Sequence, residues 1–301
     1  MRDNKFKFAI NHRSCPQISP IELIDLAIEL GVSAIELRTD IKENSISDIK
    51  TAMKVGQYAL MKNIEILTIN ALYPFNIWDN ERKEQAVKLA DLCQAIGAKA
   101  LVCCPLVSEN MEFIDDKQIQ KATNALNEIS LILKSRNLIG YVEPLGFPKS
   151  SLRKKKFALK AIDDAGVSNI FSLLHDNFHH AGAKETEYYP KRTGLVHISS
   201  VIDQSLTIEE LQDSHRFFVQ DNDSTYCIKQ INEFAGYGQV DKITIELKSR
   251  TSNEWRKFSF VVIPSTDPGW FYAASGRSDN NPNEFYNNTK YFYTKNYTFI
   301  D

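Results

Sequence analysis

The 301 residues contain no stretch of about 18 apolar residues, so no membrane-spanning helix is expected. Charge of one sign is also missing. The 36 Lys and Arg nearly balance the 38 Asp and Glu, for a net charge of -2, and leave no basic field to hold a phosphate backbone. Nucleic acid is therefore not an expected partner. The five cysteines are an odd number without paired spacing, which excludes a disulfide framework and fits a reducing, cytoplasmic setting. In that setting the sequons at Asn287 and Asn296 would carry no glycan. The opening MRDNKFKFAINHRS lacks the apolar run of a signal peptide, so secretion is not expected. One absence is local: residues 252–301 contain no Leu, yet hold 13 aromatics and seven Asn.

With 43% apolar and 25% charged residues, the chain has the composition of a soluble globular protein. Short apolar runs alternate with amphipathic segments, the pattern of parallel strands joined by helices. Strands are expected at Phe6–Ile10, Ala34–Leu37, Ile64–Ile69, Ala100–Cys104, Leu138–Glu143, Ile170–His175, Gly194–Ile198 and Lys242–Leu247. Helices are expected at Pro20–Leu30, Ile46–Met61, Asn80–Ile96, Asp115–Leu133, Ser151–Ala165, Lys184–Arg192 and Thr225–Phe234. Ser19 and Pro20 mark one helix start, and Gly31 and Gly97 mark two helix stops. Eight strands with intervening helices predict an α/β fold, a (β/α)8 TIM barrel of about 250 residues. A doubly wound open sheet is the alternative, but Ile10-Asn11-His12-Arg13-Ser14 lacks the glycines of its usual phosphate turn. The run Lys154-Lys155-Lys156 is read as a solvated face.

In such a barrel the chemistry belongs where strands end. Glu143, Asp176, His197 and Glu246 lie at or near the ends of the last four expected strands. Three carboxylates and an imidazole suit a hard or borderline divalent cation rather than a thiolate metal. Packed together without a cation, the three acids would repel one another and take up protons. Singly, each has a plainer reading as a helix cap or a satisfied core residue; four consecutive strands favour the metal. Asn70, Glu36 and Arg38 also sit at strand ends, with Glu36 and Arg38 read as an ion pair. Arg216 could clamp a substrate oxygen. Of His179 and His180, one is expected to face the site and the other water. Cys103 and Cys104 are read as buried packing.

Several segments carry a resemblance: Phe-Ala-Ile-Asn at 8–11, Ala-Ile-Glu-Leu-Arg at 34–38 and Thr-Ile-Asn-Ala-Leu-Tyr-Pro-Phe at 68–75. Val-Glu-Pro-Leu-Gly-Phe at 142–147, His-Asp-Asn-Phe-His-His at 175–180 and Leu-Val-His-Ile-Ser at 195–199 extend it. Over residues 5 to 248 the chain resembles the xylose isomerase-like barrel enzymes, and within them the inosose isomerases of inositol catabolism. The resemblance implies metal ligands at Glu143, Asp176, His197 and Glu246, and substrate contacts at His179 and Arg216, with Asn70 toward the same face. It implies a divalent cofactor, Mn²⁺ first and Co²⁺, Zn²⁺ or Mg²⁺ otherwise, and no organic cofactor. The implied reaction moves a carbonyl to the adjacent carbon of a cyclic keto-polyol through a cis-enediolate, with Glu143 and Glu246 as acid–base groups and Glu246 the preferred base. A homodimer is common for such barrels.

Two departures from the family pattern stand out. Phe217-Phe218-Val219-Gln220-Asp221 replaces a glycine-containing stretch after Arg216, and Leu247-Lys248-Ser249-Arg250 replaces the usual continuation after Glu246. The expected division is therefore a barrel over 1–250 and an atypical aromatic and Asn-rich segment over 251–301, in place of the last helix. That segment is either a native extension or the product of an altered reading frame. Another sugar isomerase or epimerase, and a non-catalytic sugar- or partner-binding barrel, are the alternative functions. An apurinic endonuclease is disfavoured, because six histidines are few for a three-metal cluster.

Overall fold

The computed structural model describes residues 7–109, 114–217, 219, 222–234, 241–249, 255–262, 271–274 and 292–294. Strands β1 (Lys7–Asn11), β2 (Ala34–Arg38), β3 (Glu65–Leu72), β4 (Ala100–Cys103), β5 (Ile139–Val142), β6 (Phe171–Asp176) and β7 (Thr193–Ile198) run parallel in sequence order. Helices α1 (Pro20–Glu29), α2 (Ile49–Met61), α3 (Asn80–Ile96), α4 (Asp115–Lys134) and α5 (Lys155–Asp164) lie between them. After β6 comes a short helix, α6 (Asn177–Gly182), and after β7 comes α7 (Cys227–Phe234). The fold is a TIM barrel, as expected.

Local chemistry fixes these elements. Ser19 and Glu22 form a reciprocal capping box at the start of α1, with Pro20 in the first turn. Asp48 and Asp79 accept from the N–H groups of Thr51 and Arg82 at the starts of α2 and α3. Gly97 ends α3 at φ 80°, a backbone conformation that costs glycine little. The helix expected over Lys184–Arg192 reduces to a 3-10 turn at Pro190–Arg192, since Tyr189 turns to φ 56° and Pro190 brings no N–H.

The eighth position differs from expectation. The run at Lys242–Leu247 does form a strand, β8 (Asp241–Ser249), but outside the ring. It pairs antiparallel with β9 (Trp255–Val262) and β11 (Phe292–Thr294). Between β7 and β1 stands β10 (Phe271–Ala274), with Ala273 in register with both Ala9 and His197. The sequence explains the exchange. Ile243, Ile245 and Leu247 alternate with Lys242, Thr244 and Glu246, the pattern of an antiparallel strand with one wet face, whereas the short apolar run Phe-Tyr-Ala-Ala suits a parallel strand covered on both sides. Glu246 therefore stands opposite Lys257 on a strand outside the barrel, and its side chain lies outside what the structure describes.

Two apolar layers support the ring. Leu23, Ile24, Val55, Leu89, Leu126 and Ile162 pack between helices and strands. Inside, Ala9, Ala34, Leu67, Val102, Leu174 and Leu195 fill the barrel. Among the described residues, no helix is long and apolar enough to cross a membrane.

Candidate active site

Side chains two residues apart on a strand face the same way. Each of the interior residues Ala9, Ala34, Val102, Leu174 and Leu195 is followed two positions later by a polar or sulfur-bearing one: Asn11, Glu36, Cys104, Asp176 and His197. Tyr141, also packed on that interior, precedes Glu143 by the same spacing. The apolar member fills the ring, and the second member reaches its C-terminal mouth. There a cavity of about 380 Å³ is lined by Asn11, Asn70, Cys104, Glu143, Asp176, His179, His197 and Arg216, among others.

His197 is the hub. Its Nε2 lies 2.7 Å from Glu36 Oε2, and Asn70 Nδ2 donates to the other Glu36 oxygen at 2.8 Å. Its Nδ1 faces Glu143 Oε1 at 3.3 Å and Asp176 Oδ2 at 3.6 Å. Burial would strip His197 of its proton, but Glu36, Asp176 and Glu143 outweigh it and hold the imidazole well above its ordinary pKa. Burial likewise opposes the charge on Glu36, yet His197 and Asn70 keep this carboxyl below its usual range. Glu36 was expected to pair with Arg38. Instead Arg38 forms a two-pronged pair with Asp40, with both contacts at 2.7 Å.

Asp176 has a separate set of partners. Oδ1 caps α6 by accepting from the N–H groups of Phe178 at 2.9 Å and His179 at 3.3 Å, while Oδ2 accepts from Arg216 Nη2 at 2.6 Å. Burial pushes this carboxyl up, but Arg216, His179 and His197 bring it well below its usual range. Arg216 is held from behind by Ser199 Oγ at 3.1 Å and lies over the Phe178 ring. Glu143 is tied less tightly: Cys104 Sγ approaches Oε2 at 3.3 Å. Cys103 is a buried core residue as expected, whereas Cys104 is a site residue that sequence reasoning missed. The two-residue phase from Val102 would have found it.

The donor set fits a divalent cation. Ligand atoms of Glu143, Asp176 and His179 lie within 4.8 Å of one another, and His179 Nδ1 is buried without a hydrogen-bond partner. His197 Nδ1 faces the same two carboxylates. Glu36 on its far nitrogen is the kind of outer carboxylate that orients a ligating imidazole. Of the four ligands expected from sequence, Glu143, Asp176 and His197 come together among the described residues, and Glu246 lies on β8, outside the ring. His179, Arg216 and Asn70 all line the cavity.

His180 does not face water. It is buried against Tyr188, with ring centroids 4.6 Å apart, and its Nδ1 bonds Lys155 Nζ. Lys155, read from sequence as solvated, is likewise buried.

A search of curated proteins finds no match. Among solved structures, a xylose isomerase domain-containing protein from Salmonella typhimurium LT2 superposes with a TM-score of 0.74 at 26% identity, covering 94% of each chain. The IolI protein, crystallised with a bound zinc atom, gives 0.71 at 18% identity over 95% of each chain. A 3-keto-D-glucoside 4-epimerase from E. coli gives 0.61 at 11% identity, over 95% of this chain and 98% of that one. These likenesses agree with the family model for a xylose isomerase-like TIM barrel, which matches residues 24–257. With the ring of parallel strands and the acid and imidazole groups at its C-terminal mouth, the match shows that the chain belongs to the xylose isomerase-like TIM-barrel family.

Proposed function

We propose that the protein is a divalent-metal-dependent isomerase that moves a carbonyl to the neighbouring carbon of a keto-polyol, with an inosose as substrate. The observation that carries this reading is the convergence of Glu143, Asp176, His197 and Arg216 on one cavity at the C-terminal end of the barrel. Glu143, Asp176 and His197 would hold the ion, with His179 in reach of the same two carboxylates. When bound, a divalent ion polarises a carbonyl and its adjacent hydroxyl as a Lewis acid.

The protein's own groups divide the remaining work. Asp176 is held ionised by Arg216 and makes a poor proton acceptor. Glu143 has only a thiol and an imidazole beside it, so it is the carboxylate available to move a proton. It takes the proton from the hydroxyl-bearing carbon to give an enediolate, then returns that proton to the former carbonyl carbon. The hydroxyl proton passes to the other oxygen, so atoms and charge balance. Arg216 and Asn70 are placed to orient substrate oxygens. Glu246, first favoured as the base, is not needed in this scheme.

An epimerase would use proton donors and acceptors on both faces of the substrate. Among the described residues, the cavity carboxylates of Asp176, Asp40 and Asp213 each pair with a guanidinium, whereas Glu143 faces a thiol and an imidazole. That favours one shuttling group and a carbonyl shift over inversion. The fold neighbour with bound zinc supports a metal on this scaffold, and the keto-glucoside epimerase supports a keto-sugar substrate class. The test is turnover of 2-keto-myo-inositol by protein stripped of metal and reloaded with Mn²⁺. Activity that disappears with chelator and returns with metal is expected; absence of both binding and turnover refutes the reading.

A further inference from the structure

Asn11 ends β1, diametrically opposite β5 in the ring order, and is fully buried. Its Oδ1 accepts the backbone N–H of Arg13 at 2.8 Å and caps the 3-10 turn His12–Ser14. A backbone N–H can be met only by the oxygen of the carboxamide, so the orientation of this side chain is fixed. Nδ2 is then buried without a hydrogen-bond partner, in a residue that lines the cavity. An unmet buried donor bears its full desolvation cost until something accepts from it. Beside it on that wall stand Arg13 and the Arg38–Asp40 pair, while Glu143 and Asp176 stand across the cavity at the ends of β5 and β6. The unmet donor of Asn11 and the carboxylates of Glu143 and Asp176 therefore stand on opposite sides of the cavity.

We infer that Asn11 is a specificity-determining substrate contact: Nδ2 donates to an acceptor oxygen of a polyoxygenated ring, on the side away from the carbon that exchanges its proton. This rests on the keto-polyol reading above and deepens it. A substrate that reaches the carboxylate wall while presenting oxygen to Asn11 must carry oxygen on both sides, which selects polyols over singly hydroxylated ketones.

The experiment uses the full-length protein loaded with Mn²⁺ and 2-keto-myo-inositol, together with its single-deoxy analogues. Asn11→Asp keeps the oxygen that caps Arg13 and replaces the donor with a repelling acceptor. Asn11→Ser keeps a cap without a donor of that reach, and covers the case in which Asn11→Asp fails to fold. KM is expected to rise about ten- to a hundred-fold, with kcat changed less and Mn²⁺ affinity unchanged. One deoxy analogue should be discriminated against by the wild type and no longer by either variant. An active wild type with variants unchanged in KM and in discrimination overturns the Asn11 assignment alone. A wild type that neither binds nor converts the keto-polyol overturns the isomerase reading and this contact with it.

Discussion

Asp176 and His179 face the cavity, whereas their neighbours His175 and His180 face the helical layer outside the ring. Imidazoles are buried beside a charge on both sides, His197 of β7 on the cavity side and these two on the outer side, and the outcomes are opposite. On the cavity side, carboxylates surround His197 and raise its pKa against the pull of burial, favouring positive charge there, whether a proton or a bound cation. On the outer side the charged partner is an ammonium. Lys155 Nζ donates to His175 Nδ1 at 3.1 Å and to His180 Nδ1, with Glu185 Oε2 at 3.8 Å. His175 Nε2 donates to Gln230 Oε1 at 3.0 Å, and Phe234 packs on its ring. Burial first, and Lys155 second, lower His180 to about 3 and His175 well below its ordinary value. Burial also lowers Lys155 to about 8. The same side-chain type thus favours positive charge beside carboxylates and stays a neutral acceptor beside an ammonium, according to the sign of its partner.

The contrast can be broken at four places. The largest effect is expected from Glu143→Gln, which leaves the shape of the cavity wall and removes the proton acceptor. Turnover should fall by about 10² to 10⁴, with an unchanged circular dichroism spectrum. Lys155→Met tests the outer face. A lysine whose folded pKa is depressed to about 8, from 10.5, binds its proton less well folded than unfolded. Its contribution to stability therefore rises with pH between those values, by up to about 3 kcal/mol. Denaturation at a series of pH values should show that rise in the wild type and not in the variant.

Glu36→Gln should weaken Mn²⁺ binding about ten- to a hundred-fold by loosening the hold on His197, measured by metal titration. Cys104→Ser, which still offers Glu143 a donor, should change kcat only a few-fold. A loss as large as that of Glu143→Gln would mean that the thiol does more than position its neighbour.

The ring and its second half were legible because polar residues interrupt apolar runs at Asp176 and His197, and because Glu143 precedes a proline. Asn11, Glu36 and Cys104 were harder, since an inward direction depends on the phase of the whole ring, which one strand does not reveal. Helix α6, six residues long, is too short for a helical period, and its Asp176 cap doubles as a site residue. Lys155 looked solvated among three lysines; only the folded arrangement places it over two imidazoles. The strand that carries Glu246 was assigned to the ring for a physical reason: an alternating run with a carboxylate resembles a barrel strand until the pairing partner is known.

The central claim is that a metal-loaded Glu143 moves a proton between adjacent carbons of a keto-polyol. Incubating 2-keto-myo-inositol with the Mn²⁺-loaded protein in deuterated water and following the ring protons by NMR tests it directly. The account predicts deuterium at the carbon next to the carbonyl, lost on chelation and lost in Glu143→Gln. Exchange that persists in that variant, or none in the loaded wild type, would contradict it.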